Sequence, residues 1–205
     1  MSENNENREK LLECAKKEFL EKGFMKASLR KIAADAGLTT GAVYFFFKDK
    51  SGLFGAVIDE PLKQLMDTLE HHLNEENGED FSTYEPRDGD HDKMAEQMIE
   101  VLYSHYDEMM ILLNKAQGSE YEGYPDRLIG LLDSYYYVFA QKYADSVPGK
   151  RVNGYMVHWF SHVQINAFVH LLTHERDKDK ALKNIKPVLD SIVRGWLGYV
   201  LEDDS

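Results

Sequence analysis

From Glu6 to Lys22 the apolar positions Leu11, Leu12, Ala15, Phe19 and Leu20 recur at spacings of three and four, the period of one helical face. Gly23 follows as a natural C-cap and ends this first predicted helix. Ser28 is a good N-cap for "LRKIAADA", and Gly37 closes that second, short helix. A third helix opens at Thr39 or Thr40 and runs through "GAVYFFF". Asp49 can cap a fourth, much longer one, "KSGLFGAVIDEPLKQLMDTLEHHLNEE", which Pro61 is expected to bend. Residues 77–92, "NGEDFSTYEPRDGDHD", lose the period, are rich in Gly, Asp and Pro, and read as a mobile loop. Amphipathic segments then follow at about 93–117, 124–146, 151–174 and 179–201, separated by "GSEYEGYP", "SVPGK" and "ERDKD". Strand-type alternation is absent, and the pattern predicts an all-α chain of about nine helices.

Composition narrows the class. With 205 residues, 43% hydrophobic and 12% aromatic, the chain can bury a core and is not of the disordered type. The single cysteine, Cys14, permits no intramolecular disulfide and suits a reducing compartment, where it packs as a small buried residue. No signal-type segment and no apolar run of membrane-spanning length occurs, so a cytoplasmic location without membrane association is expected. The formal net charge of -12 argues against a nucleic-acid partner until it is divided along the chain. Residues 1–52 hold ten basic and eight acidic side chains, a net of +2, whereas 53–205 hold fourteen and twenty-eight, a net of -14.

The stretch from 28 to 47 meets the requirements of a helix-turn-helix. Ala33, Ala34 and Ala36 let two helices cross closely, Gly37 can adopt the left-handed turn, and Ile32, Leu38 and Val43 supply the contacts between helices. "TTGA" opens the next helix with small residues that let a backbone approach a DNA groove. The run "SLRKIAADAGLTTGAVYFFFKDKSGLF", preceded by "AKKEFLEKGFMKA", closely resembles the TetR family of bacterial transcriptional regulators. The Gly-Leu-Thr turn and the Tyr-aromatic-aromatic-Phe-x-x-Lys run carry the specificity of that resemblance, which is strong over residues 8–60 and weak beyond. It implies a three-helix DNA-binding domain, residues 1–50, followed by a larger helical-bundle domain, residues 51–205, for effector binding and dimerisation.

Roles carry over by position. Ser28 matches a frequent phosphate contact; Thr39, Thr40, Gly41 and Ala42 match the groove-facing start of the recognition helix. Tyr44 matches a tyrosine whose hydroxyl meets a phosphate, and Lys50 a lysine at the start of the fourth helix that does the same. Phe45 and Phe46 depart from the family, which often has a hydrogen-bonding aromatic such as histidine there. Their expected contacts are apolar, for instance with thymine methyl groups. Phe47 is expected in the core and Lys48 as a solvated charge.

The last two segments carry wide apolar faces, which the resemblance implies to be a four-helix dimer interface. Tyr155, Trp159, Val163, Leu189, Ile192, Trp196 and Val200 are the candidate interface residues, and Pro187 is expected to kink the last helix. Middle segments rich in Tyr and Met have the composition of a small-molecule pocket, for which Tyr103, Met110, Tyr136, Trp159 and His162 are the candidate lining residues.

His158 with His162, and His170 with His174, lie four apart and share a helical face, but no complete metal-ligand set accompanies them, so packing or interface roles are preferred to a metal centre. No phosphate loop, nucleophile elbow or Cys-x-x-Cys is present, which leaves no catalytic constellation and no implied cofactor. The sequence thus reads as a ligand-responsive DNA-binding regulator, foremost a repressor. It is expected to bind a near-palindromic double-stranded operator as a homodimer and to be released by a small-molecule effector. The alternative is a helical small-molecule or protein-binding module whose helix-turn-helix is vestigial.

Overall fold

The computed structural model describes residues 3–76, 89 and 91–204. In chain order its elements are α1 (Glu3–Lys26), α2 (Leu29–Asp35), α3 (Thr40–Phe47), α4 (Lys50–Glu76), α5 (Asp92–Ser104), α6 (Tyr106–Asn114), α7 (Tyr124–Ser146), β1 (Lys150–Val152), α8 (Gly154–His174), α9 (Lys178–Tyr199) and β2 (Leu201–Asp203). The described residues are therefore all-α in class, with nine helices and one small two-stranded ladder. The loop expected at 77–92 lies outside the described residues except at 89, 91 and 92.

Two compact units make up the chain. Met1–Leu65 and Ser104–Tyr124 form the first; Met66–Tyr103 and Pro125–Ser205 form the second. The first thus extends past residue 50 along α4 and recruits α6 and the segment after it. In this unit α1 stops being regular at Gly23, whose φ of 73° and ψ of 166° lie outside the helical region. The Phe24 amide just beyond donates to the Lys115 carbonyl at 2.8 Å, tying the turn to the end of α6. Leu11, Ala15, Phe19, Ile32, Val43, Phe47, Leu53 and Phe54 are buried here. The Phe19 and Phe54 rings meet edge to face at 4.8 Å, and burying each is worth about 1.5–3 kcal/mol.

Local capping sets the helix starts. The Ser28 hydroxyl accepts the Lys31 amide at 3.3 Å, and Asp49 Oδ1 accepts the Gly52 amide at 2.8 Å. The segment expected at 93–117 is two helices, interrupted at His105, whose φ of -120° and ψ of 38° are not helical. Neither Gly nor Pro marks that break, so composition gave no cue; the His105 ring instead lies 2.9 Å from the Gln64 side chain on α4.

In the second unit Leu73, Leu132, Phe139, Ala140, Val157, Phe160, Ile192, Trp196 and Val200 belong to one buried cluster. Asn153 and Asp177 cap α8 and α9, accepting the amides of Met156 at 3.2 Å and Lys180 at 3.0 Å. The helix α9 continues through Pro187. Both Pro187 and Lys183 are exposed, so the carbonyl that loses its donor to proline can turn to water.

The ladder was not foreseen, because three-residue strands are too short to show alternation. β1 and β2 pair antiparallel in the register Lys150↔Asp203, Arg151↔Glu202 and Val152↔Leu201. Opposite charges face each other across it, Lys150 to Asp203 at 2.6 Å and Arg151 to Glu202 at 2.8 Å.

At the α3–α4 junction a Cβ on Gly52 would lie 2.0 Å from the Phe47 carbonyl oxygen, a backbone atom with no room to yield. Gly52→Ala is expected to destabilise the chain by about 1–3 kcal/mol. Gly130→Ala, on an exposed turn of α7 where the added Cβ meets nothing within 4 Å, should instead stabilise by up to about 1 kcal/mol. Equilibrium denaturation of the two variants checks the contrast.

Candidate nucleic-acid interface

The helix α3 has two faces. Val43 and Phe47 point into the core, at 0% and 6% exposure, while Tyr44 and Phe45 stand out at 55% and 75%. Thr39 and Gly41 are exposed, and Thr40, Ala42 and Phe46 are half-buried. Thr39 makes no side-chain capping bond, so its hydroxyl is not committed to its own helix. The rings of Phe45 and Phe46 pack edge to face at 5.0 Å, which holds an otherwise solvated apolar side chain in one orientation.

Ser28 sits at the start of α2 with its amide donated to Glu18 Oε1 at 3.2 Å. Its oxygen accepts from Lys31, which leaves the hydroxyl proton able to donate. Glu18 is only 4% exposed, and its Oε2 lies 3.6 Å from Lys31 Nζ. Lys31 also pairs with Asp35, and the hydrogen bond to Asp35 is the largest influence raising its pKa.

Lys50, expected at a phosphate, has partners within its own chain. Its ammonium donates to the Met25 carbonyl at 3.0 Å and lies over the Phe24 ring at 5.0 Å, and burial lowers its pKa. In this arrangement Lys50 fastens the turn after α1 to the start of α4.

Lys48, expected only as a surface charge, occupies a special backbone position. Its φ of 71° and ψ of -49° fall in the strained γ-turn region, and the Asp49 amide closes that turn onto the Phe47 carbonyl at 2.8 Å. A recess of about 570 Å³ opens beside it, with Tyr44, Phe45, Lys48 and Arg8 on one side and Asp59, Glu60 and Lys63 along α4. Tyr121 donates its hydroxyl to Asp59; burial, then this bond, raises the pKa of the phenol.

Sequence reasoning missed Glu18, Gly52 and the turn at Lys48. Glu18 lies seven residues after Leu11, on the same helical stripe as the core positions, and that register was its only signal.

Comparison with known proteins decides the class of this domain. Residues 11–57 match the model of the bacterial regulatory proteins of the tetR family. Over these residues the chain is similar to the TetR family. Over 53 residues the chain is 45% identical to the HTH-type transcriptional repressor BepR of Brucella suis biovar 1 (strain 1330), covering 26% of this chain and 25% of BepR. Over 55 residues it is 44% identical to the HTH-type transcriptional regulator AcrR of Shigella flexneri, covering 27% and 26%. The chain thus spans about a quarter of the length of the curated relatives it matches. The family and these relatives are regulators, not enzymes.

Among solved structures, NalD, the secondary repressor of the MexAB-OprM multidrug efflux pump in Pseudomonas aeruginosa, matches with a TM-score of 0.60 at 21% identity, over 95% of this chain and 97% of NalD. A TerR/AcrR-family transcriptional regulator from Aquifex aeolicus VF5 matches with a TM-score of 0.58 at 21% identity, over 91% and 99%. At that identity the likeness speaks for the fold. It covers the helical second unit as well, where no helix among the described residues is long and apolar enough to cross a membrane.

The expected dimer and pocket residues fall as follows. Leu189, Ile192, Trp196 and Val200 are 2%, 8%, 8% and 0% exposed, inside the core of their own chain. An apolar helical face does not reveal which bundle it covers, and α9 turns these four residues toward its own unit. Val163 is half-buried, and Tyr155 and Trp159 are exposed at 73% and 46%.

Of the pocket candidates, Met110 lies on α6 in the first unit and the other four in the second. Tyr103 donates to the Glu175 carbonyl at 2.7 Å, and Tyr136 to Gln164 at 2.5 Å beside Trp196. Trp159 rests edge-on against Phe160, and His162 pairs with His158. None of the five lines the recess of about 340 Å³ between α8 and α9, which is formed by Ala167, His170, Leu171, His174, Glu175, Asn184, Ile185 and Val188.

The turn at Lys48 carries a testable consequence. Lys48→Gly should raise the stability of the TetR-type domain by about 1 kcal/mol through relief of the positive φ, while Lys48→Ala keeps the strain and stays within about 0.5 kcal/mol of the parent. Urea midpoints of the two variants separate backbone strain from loss of charge.

Proposed function

We propose that this protein is a transcriptional regulator that represses by binding a near-palindromic operator as a homodimer and leaves it when a small molecule binds the second unit. The observation that carries the reading is the outward face of α3. Phe45 is 75% exposed beside a 55% exposed Tyr44, on a helix that lies inside the matched residues 11–57. An apolar ring is kept in water there because its partner is outside the chain.

In this reading Thr39, Thr40, Gly41 and Ala42 approach the major groove. Phe45 and Phe46 meet base methyls, and Tyr44 and Ser28 hold phosphates. Lys50 supports the reading helix from behind and reaches a phosphate only by releasing Met25. Residues 1–50 form the reading module and 51–205 the part that binds effector and partner. A ligand acts by preferring one of two states with different operator affinity, and α4, whose residues belong to both units, is the lever.

The exposed Tyr155 and Trp159 on α8, with Val188 and Tyr199 on α9, replace the inward α9 residues as the surface for a second copy. A two-fold dimer would place two α3 helices in successive major grooves.

Footprinting on the chain's own upstream DNA tests the first part. Protection is expected, and Tyr44→Phe and Phe45→Ala should each weaken binding with the salt slope nearly unchanged, because neither removes a charge. Absence of protection at low salt would favour the module with a vestigial helix-turn-helix. Trp159→Asp should halve the mass seen by sedimentation while leaving the helical spectrum intact.

A further inference from the structure

Two histidines of α8 and a carboxylate of α7 form a cluster of their own. His158 and His162 lie one turn apart, their ring centroids 4.5 Å apart and their planes at 84°. Their Nε2 atoms face each other at 3.1 Å. Behind them, on α7, Asp133 Oδ2 lies 2.6 Å from His158 Nδ1. The carboxylate accepts the Nδ1 proton and so fixes the tautomer of His158, whose Nε2 then presents a lone pair toward His162. A second lone pair cannot approach to that distance without an electrophile between the two nitrogens. Without a metal ion the Nε2 proton of His162 fills that role.

We propose that His158 and His162 bind a divalent first-row transition-metal ion of the imidazole-preferring class, Cu²⁺, Ni²⁺ or Zn²⁺, with Asp133 as the carboxylate behind the site. An ion at the usual metal–imidazole distance of about 2.0–2.1 Å from both nitrogens would see them at an angle of about 95–100°, between the octahedral and tetrahedral values. The arrangement carboxylate–imidazole–metal is the one that orients a ligating histidine and raises its basicity. Asp133 Oδ1 is buried and meets no donor among the described residues, so this carboxylate gains from any positive charge placed on His158.

No group of three or more His, Cys, Asp or Glu able to hold a metal occurs among the described residues. The site is therefore a two-imidazole chelate with its remaining positions filled by water, exchangeable instead of structural, following the order in which Cu²⁺ binds more tightly than Ni²⁺ or Zn²⁺. The His158 side chain is 56% exposed, which leaves that side of the ion open. The second pair, His170 and His174, has centroids 4.4 Å apart but planes at 47°, and no carboxylate fixes either ring among the described residues. It serves as an internal control.

Calorimetric titration of the untagged full chain with Ni²⁺, paired with NMR of the histidine ring protons, tests the assignment. One ion per chain is expected, with shifts confined to His158 and His162. His162→Gln should weaken binding at least tenfold, Asp133→Asn about tenfold or more, and the double variant His170→Gln/His174→Gln not at all. His162 is partly exposed, so His162→Gln should keep its fold, and an unchanged circular dichroism melt verifies this. Unchanged affinity in His162→Gln, loss of binding in the His170/His174 variant instead, or no uptake by the parent chain in excess Ni²⁺ would each overturn it.

Discussion

The constraint on which the placement of α3 depends is the crowding at the Phe47 carbonyl. That oxygen accepts the Asp49 amide and lies where a side chain at residue 52 would begin. The orientation of α3 depends on this crossing. The chain leaves α3, reverses through the strained Lys48, and starts α4 under the Asp49 cap within three residues. Because the junction is short and overdetermined, the angle between α3 and α4 has little freedom. The proposed groove-reading role of α3 benefits from such stiffness, since side chains held near their productive geometry lose less entropy on binding.

Around that junction the domain is fastened at its other corners by groups that a charge count would misread. Lys50 and Glu18 look like surface residues, yet one is folded over Phe24 onto Met25 and the other is buried against the start of α2. Both take up backbone groups at the turns, where helix ends leave amides and carbonyls without partners. The positive balance of the first 52 residues is thus smaller in effect than in count, because Lys31 and Lys50 are already engaged within the chain.

Legibility in the sequence followed locality. The helix-turn-helix was plain because caps, small residues and the apolar stripe are short-range features: Ser28, Gly37, Val43, Phe47 and Asp49 all stand where the pattern put them. Four of the five later departures are long-range. The inward turn of α9 depends on which helices lie under Ile192 and Trp196, the break at His105 follows no local breaker, and the facing strands are separated by the whole of α8 and α9. The reach of Lys50 back to Met25 likewise spans 25 residues. The strain at Lys48 is local, but lysine carries no preference for positive φ that could announce it.

The pairing of β1 with β2 has a topological effect beyond its three residue pairs. By joining Lys150 to Asp203, it closes the helical hairpin of α8 and α9 into a loop of some fifty residues, with Asn153 and Val200 bonded just inside the closure. Such a ring cannot fray from the end of α9 alone, because peeling the last turn also requires opening the ladder and releasing the start of α8. The last turn of α9 and the first turn of α8 therefore open and close as one cooperative unit, and amide exchange at the two sites should share a common opening rate.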